Sequence, residues 1–149
     1  MMELDTRQGW MGLLARAPAD RLESLWINLG MDLPDFAWLR APETGGVMVR
    51  GRMGGTGAPF NLGEMTVTRC AIRLEPGNVI GHAYVQGRDK SKARLAAVID
   101  ALMQTSSGPD LRARLLVPLA QEMAARAQGR AERAEATKVT FFTMVRGED

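Results

Sequence analysis

"MTVTRCAIRLEPGNVIGHAYVQGRD", residues 65–89, decides the fold. Two β-favouring runs, 65–74 and 79–87, flank Pro76-Gly77, a pair suited to a tight turn, so the stretch reads as two antiparallel strands. Just upstream, GVMVRGRM (46–53) alternates, with Val47, Val49 and Met53 on one face and Met48, Arg50 and Arg52 on the other. The three runs together predict an antiparallel β-meander. A weaker strand signal, Asp35 to Arg40, contains Phe36 and Trp38. Downstream the period changes from two to about 3.6. Asp89 is placed to cap a helix running to about Gln104, with Leu95, Val98, Ile99 and Leu102 on its buried face.

Working outward, PADRLESLWINLG (18–30) has the signals of a helix at both ends. Pro18 suits the first turn, Asp20 and Glu23 suit its positive pole, and Gly30 supplies the stop. A shorter helix from about Thr6 to Ala15 precedes it, so the N-terminus reads as a helical hairpin broken near Ala17-Pro18. Beyond residue 104, TSSGPD (105–110) is a breaker. A second C-terminal helix is expected from about Leu111, interrupted at Pro118, and running to about Thr137. It carries alanines at 120, 124, 127, 131 and 134, spaced four and three apart. That seam has two readings: Ala120, Ala124, Ala127, Ala131 and Ala134 let another helix pack closely, in this chain or a partner, or they merely favour the helix. KVTFFTMV (138–145) reads as a final strand. The expectation is one α+β domain over residues 1–149, with no repeat and no linker.

Composition bounds the function. A chain of 149 residues can bury roughly 68–70% of its unfolded surface, enough for a core without staples. There is no signal-peptide pattern and no apolar run of membrane-spanning length, and the single Cys70 fits a reducing cytoplasm. Net charge is +2 and aromatics are 5%, which speaks against a nucleic-acid surface. One histidine and one cysteine exclude the common zinc sets, so no metal ligands are assigned, although an all-oxygen Mg2+ site stays open.

RMGGTGAPFNLGE (52–64) raises the question of a phosphate loop. It lacks the lysine of a P-loop and the spacing of a dinucleotide loop, and a strand follows it where both motifs need a helix. In the meander, however, it falls at the same end of the sheet as QGRDKSKAR (86–94). There Arg88, Lys90, Lys92 and Arg94 crowd a helix start whose dipole is already positive. A bound anion or an acidic patch on a partner would relieve the conflict; splaying into water would screen it. Arg52, Gly54, Gly55, Thr56, Gly57, Arg88 and Lys90 are therefore candidates for an anion site or a subunit interface. Arg50, Arg52, Arg69 and Arg73 on the strands read as solvated or ion-paired, or else as oxyanion or docking contacts, and Cys70 reads as packing. His82 has no motif-level partner for general-base work, and no catalytic constellation is visible.

RMGGTG (52–57), VQGRDK (85–90), IDALMQ (99–104) and FFTMVRG (141–147), in this order and spacing, resemble the PhnG family, the G subunits of the bacterial carbon–phosphorus lyase core complex. The likeness runs from about Thr6 to the C-terminus. It implies a cytoplasmic bacterial subunit of phosphonate catabolism. In that family's pathway, subunits G, H and I with the L protein convert ATP and an alkylphosphonate to an α-D-ribose 1-alkylphosphonate 5-triphosphate, releasing adenine. Subunit I is the implied carrier of that transferase chemistry, and G brings no catalytic residues to carry over. A pyrophosphate-releasing step follows, and subunit J, with an iron–sulfur cluster and S-adenosylmethionine, cleaves the carbon–phosphorus bond. The resemblance thus implies subunits H, I and J as stable partners, the L and K proteins as transient ones, ATP with Mg2+ for the complex, and no cofactor for G itself. It leaves two roles open: an accessory scaffold around I, or a direct contribution of an anion site.

Overall fold

The computed structural model describes residues 3–52 and 55–146, with side chains described to residue 137. Two helices open the chain, α1 (Arg7–Arg16) and α2 (Ala19–Leu29). The Thr6 hydroxyl caps α1 by accepting the Gly9 N–H at 3.1 Å, and Gly30 ends α2 in the left-handed conformation (φ 69°). Both helices of the expected hairpin form, with the break at Ala17-Pro18. Their main neighbours differ: α1 lies on the sheet, and α2 lies towards the C-terminal helices.

The meander is present as β1 (Phe36–Arg52), β2 (Pro59–Leu74) and β3 (Ile80–Gln86), antiparallel and in that order. The weak signal at 35–40 and the stronger one at 46–53 belong to one long strand, which absorbs register shifts rather than breaking. The β2–β3 register sorts side chains by face. Pairs Thr68–Val85, Cys70–Ala83 and Ile72–Gly81 point into the core, while Arg69–Tyr84 and Arg73–Ile80 point away from it.

Helix α3 (Lys90–Met103) covers the inner face. It comes so close to β3 that a Cβ on Gly81 would lie 2.0 Å from the Ala97 carbonyl oxygen, so only glycine fits. Sheet below and helices around bury α3 on nearly every side: Val98 and Ile99 are fully buried and Leu102 nearly so, while Leu95 is only half-buried. After the break at 105–107 come α4 (Gly108–Leu111), a π-helical turn (Arg112–Leu116) and α5 (Val117–Arg146). Pro118 explains the π turn. It has no N–H and its ring would meet the carbonyl of residue 114, so the turn before it widens, and Val117 N–H bonds to Arg112 O instead. Leu111, Leu115, Leu116 and Leu119 fix this junction in the core, all fully buried.

The final strand expected at 138–145 is corrected: these residues continue α5. Their β-favouring composition is a weak preference that context overrides. Elongating a helix already formed by AERAEAT (131–137) needs no new nucleus. The fold class remains α+β.

Candidate functional site

The glycine loop sits at the tip of a ribbon. β1 and β2 pair from Gly45–Val67 out to Arg52–Pro59, whereas β3 stops opposite Val67. At about 3.3 Å per residue, Pro59–Thr66 carries the loop roughly 25 Å beyond the end of β3. Within this two-stranded arm no described side chain is fully buried, and Met48, Phe60 and Leu62 are 57%, 42% and 62% exposed. Of the loop candidates, Arg52, Gly55 and Thr56 are exposed and Gly57 is half-buried; Gly54, like Met53, lies outside the described residues.

The ribbon is firmly rooted. The Thr68 hydroxyl, fully buried, donates to the Gly87 carbonyl at 2.8 Å; its one proton used, it accepts from Thr44 Oγ1 at 3.0 Å. Glu43 adds a charged clamp at the same level, accepting from Arg40 at 2.6 Å and from Arg69 at 2.5 Å. Those hydrogen bonds hold its carboxyl below the usual range. Arg69 and Arg73 are thus ion-paired, the latter to Glu75 at 3.6 Å, while Arg50 and Arg52 have no carboxylate partner among the described residues.

The cation cluster at 88–94 divides. Asp89 caps α3 by accepting Lys92 N–H at 3.0 Å. The Lys92 side chain is buried and donates from Nζ to the Ala15 carbonyl at 3.1 Å, in the last turn of α1, where cations are favoured. Burial lowers its pKa, and Asp89 partly offsets this. Lys92 is therefore a strut between α1 and α3. Arg88, Lys90 and Arg94 stay exposed, without ion pairs among the described residues. The structure brings the glycine loop to the same end of the sheet as Arg88 and Lys90 and does not bring the two segments together.

The alanine seam divides as well. Ala120 is half-buried at the root of α5, and Ala124, Ala127, Ala131 and Ala134 are exposed. No described helix of this chain covers them. The root is held by Arg21, which donates from Nη2 and Nε to Glu122 at 2.6 and 2.9 Å and keeps that carboxyl below its ordinary range.

Asp100 is the residue that sequence reasoning missed. Fully buried, it accepts Arg7 Nη2 at 2.7 Å and Nε at 3.1 Å, Trp10 Nε1 at 2.8 Å and the His82 backbone N–H at 2.9 Å. One carboxylate joins α1, β3 and α3, and all its partners are structural. The available signal was a lone acid in the apolar run VIDALM (98–103). The His82 imidazole, by contrast, has no carboxylate partner among the described residues. Burial pushes the Cys70 thiol up to about 11, and it donates to the Ala93 carbonyl at 3.2 Å, so it is no nucleophile at neutral pH.

Among the described residues, the ribbon and α5 beyond its root are two exposed extensions of a well-packed body. Residues 5–147 match the family described as "Phosphonate metabolism protein PhnG". Over 143 residues the chain is 48% identical to the alpha-D-ribose 1-methylphosphonate 5-triphosphate synthase subunit PhnG of Rhizobium meliloti (strain 1021), spanning 96% of this chain and 90% of that relative. By both measures, this chain belongs to the PhnG family of phosphonate-metabolism proteins.

Proposed function

We propose that this chain is an accessory subunit of a ribose 1-methylphosphonate 5-triphosphate synthase. It holds the complex together while subunit I displaces adenine from ATP with an alkylphosphonate. The observation that carries this reading is the ribbon 45–66, a two-stranded arm with exposed Met48, Phe60 and Leu62 and no cover from the other described residues. Such ribbons are marginal alone and gain stability when another surface packs on them. In this reading ATP and Mg2+ are held by the partner subunits. Among the described residues, no three His, Cys, Asp or Glu side chains of this chain gather. The test mixes the purified chain with subunits H, I and J, and adds the L protein for the adenine-release assay. Co-elution by size exclusion, and adenine release from ATP and methylphosphonate only when the chain is present, are expected; a chain that elutes alone overturns the proposal.

A second reading gives Arg88 and Lys90 direct contact with phosphonate or triphosphate oxygens. It draws on their exposure without ion pairs at a helix start. The variant R88A/K90A decides it: normal assembly with undiminished adenine release rejects substrate contact.

A further inference from the structure

A hollow of the described surface lies where α5 leaves the body. It has a volume of about 440 Å3, and its floor is apolar, formed by Leu13, Pro18 and Met123. Its rim is cationic, with Arg16, Arg126 and Arg130, and no acidic side chain lines it. Arg16 donates from Nε to the Gly12 carbonyl at 3.2 Å. The Glu122 carboxylate, one turn before Arg126 on α5, is hydrogen-bonded to Arg21 and also feels the Arg126 charge. Arg126 and Arg130, one turn apart on the same side of α5, are both exposed.

We infer that this cleft receives an acidic amphipathic helix from another subunit of the complex. The hollow is large enough for a few aliphatic side chains and far too small for a folded domain, which fits the apolar ridge of a helix laid along α5. The charge pattern then specifies what flanks the ridge: carboxylates one turn apart, placed against Arg126 and Arg130. Free phosphate or nucleotide would leave the apolar floor without a partner. A second copy of this chain would have to bring an acidic ridge, and the exposed stretch of α5 from 124 to 137 has three arginines against two glutamates. The inference rests on the accessory-subunit reading and adds to it a particular face and a particular partner chemistry.

The test uses the full chain, immobilised, and a mixture of subunits H, I and J, with affinity measured by biolayer interferometry at low and high salt. R126E/R130E is expected to bind at least tenfold more weakly and to show a flatter salt dependence, with an unchanged melting temperature because both arginines are exposed. Ala127→Trp, which fills the cleft without changing charge, is expected to weaken binding with the salt dependence retained. Wild-type affinity in both variants overturns the cleft while leaving the accessory role intact. Failure of the wild-type chain to bind the mixture overturns both. Loss of self-association on sedimentation, with binding to the mixture unaltered, assigns the cleft to a second copy and overturns the acidic helix.

Discussion

The body and the ribbon are made from the same two strands and differ in almost every other respect. Between Val67 and Leu74, β2 has a strand on each side and α3 across one face, and Thr68 and Ile72 lose all contact with solvent. Between Pro59 and Thr66 the same strand has, among the described residues, one neighbour and no cover. β2 is paired on both sides in the body and on one side in the ribbon, and the regions differ further in apolar burial, which supplies most of the stability of a small domain. The body is stable by its own contacts, and the ribbon is held at its root by Thr68, Thr44 and Glu43 and is otherwise shaped by pairing alone. Substitutions in the two regions should therefore be read out by different measurements.

The largest effect is expected from Asp100→Ala. It leaves the Trp10 indole N–H and the His82 amide unpaired inside the protein and releases Arg7, and should lower the unfolding free energy by about 3–5 kcal/mol in urea titration. A loss under about 1 kcal/mol would mean that α1 docks by packing alone. Next comes Gly81→Ala, which drives a methyl into the Ala97 carbonyl and pushes α3 off the sheet. A loss of about 1–3 kcal/mol is expected, visible as a lower melting temperature with the far-ultraviolet spectrum retained.

The ribbon supplies the contrast. Phe60→Ser with Leu62→Ser should change the stability of the isolated chain by no more than about 0.5 kcal/mol. It should nevertheless abolish co-elution with subunits H, I and J. A large fall in stability would show that the arm packs on its own body, and the comparison above would collapse. The smallest effect concerns pH. Glu122 has a lowered pKa in the folded chain, chiefly from the Arg21 hydrogen bonds. The unfolded state then binds more protons in that range. The bridge's contribution is complete above the unfolded carboxylate pKa of about 4.3 and is lost as pH falls through the folded value. Between neutral pH and pH ~3 the wild-type melting temperature should fall more steeply than that of Glu122→Gln; parallel curves would remove the bridge from the root of α5.

Local signals in the sequence were legible because local physics sets them. Asp89 at the helix start, Gly30 at a helix end, Pro76-Gly77 between strands and Pro118 in a helix each act within a few residues. The rest depends on distance along the chain. Strand alternation located β1 and β2 but not how far their pairing outruns β3, because that depends on where β3 stops. For this reason the glycine loop and Arg88 shared an end of the sheet on paper and stand apart in space. Lys92 looked like one more cation at a helix start until α1 brought the Ala15 carbonyl to it. The stretch 138–145 was misread because its composition was weighed without the helix that runs into it.

Asp100 also sets an order of events in time. Its partners Arg7 and Trp10 lie 93 and 90 residues earlier in the chain. At a synthesis rate of about 5–20 residues per second, α1 is made roughly 5–20 s before the carboxylate it binds. Until β3 and α3 have been made, the indole of Trp10 and the leucines beside it have neither to lie against. The first helix made is thus among the last to find its place, and the nascent chain carries an exposed apolar face that a chaperone is suited to hold.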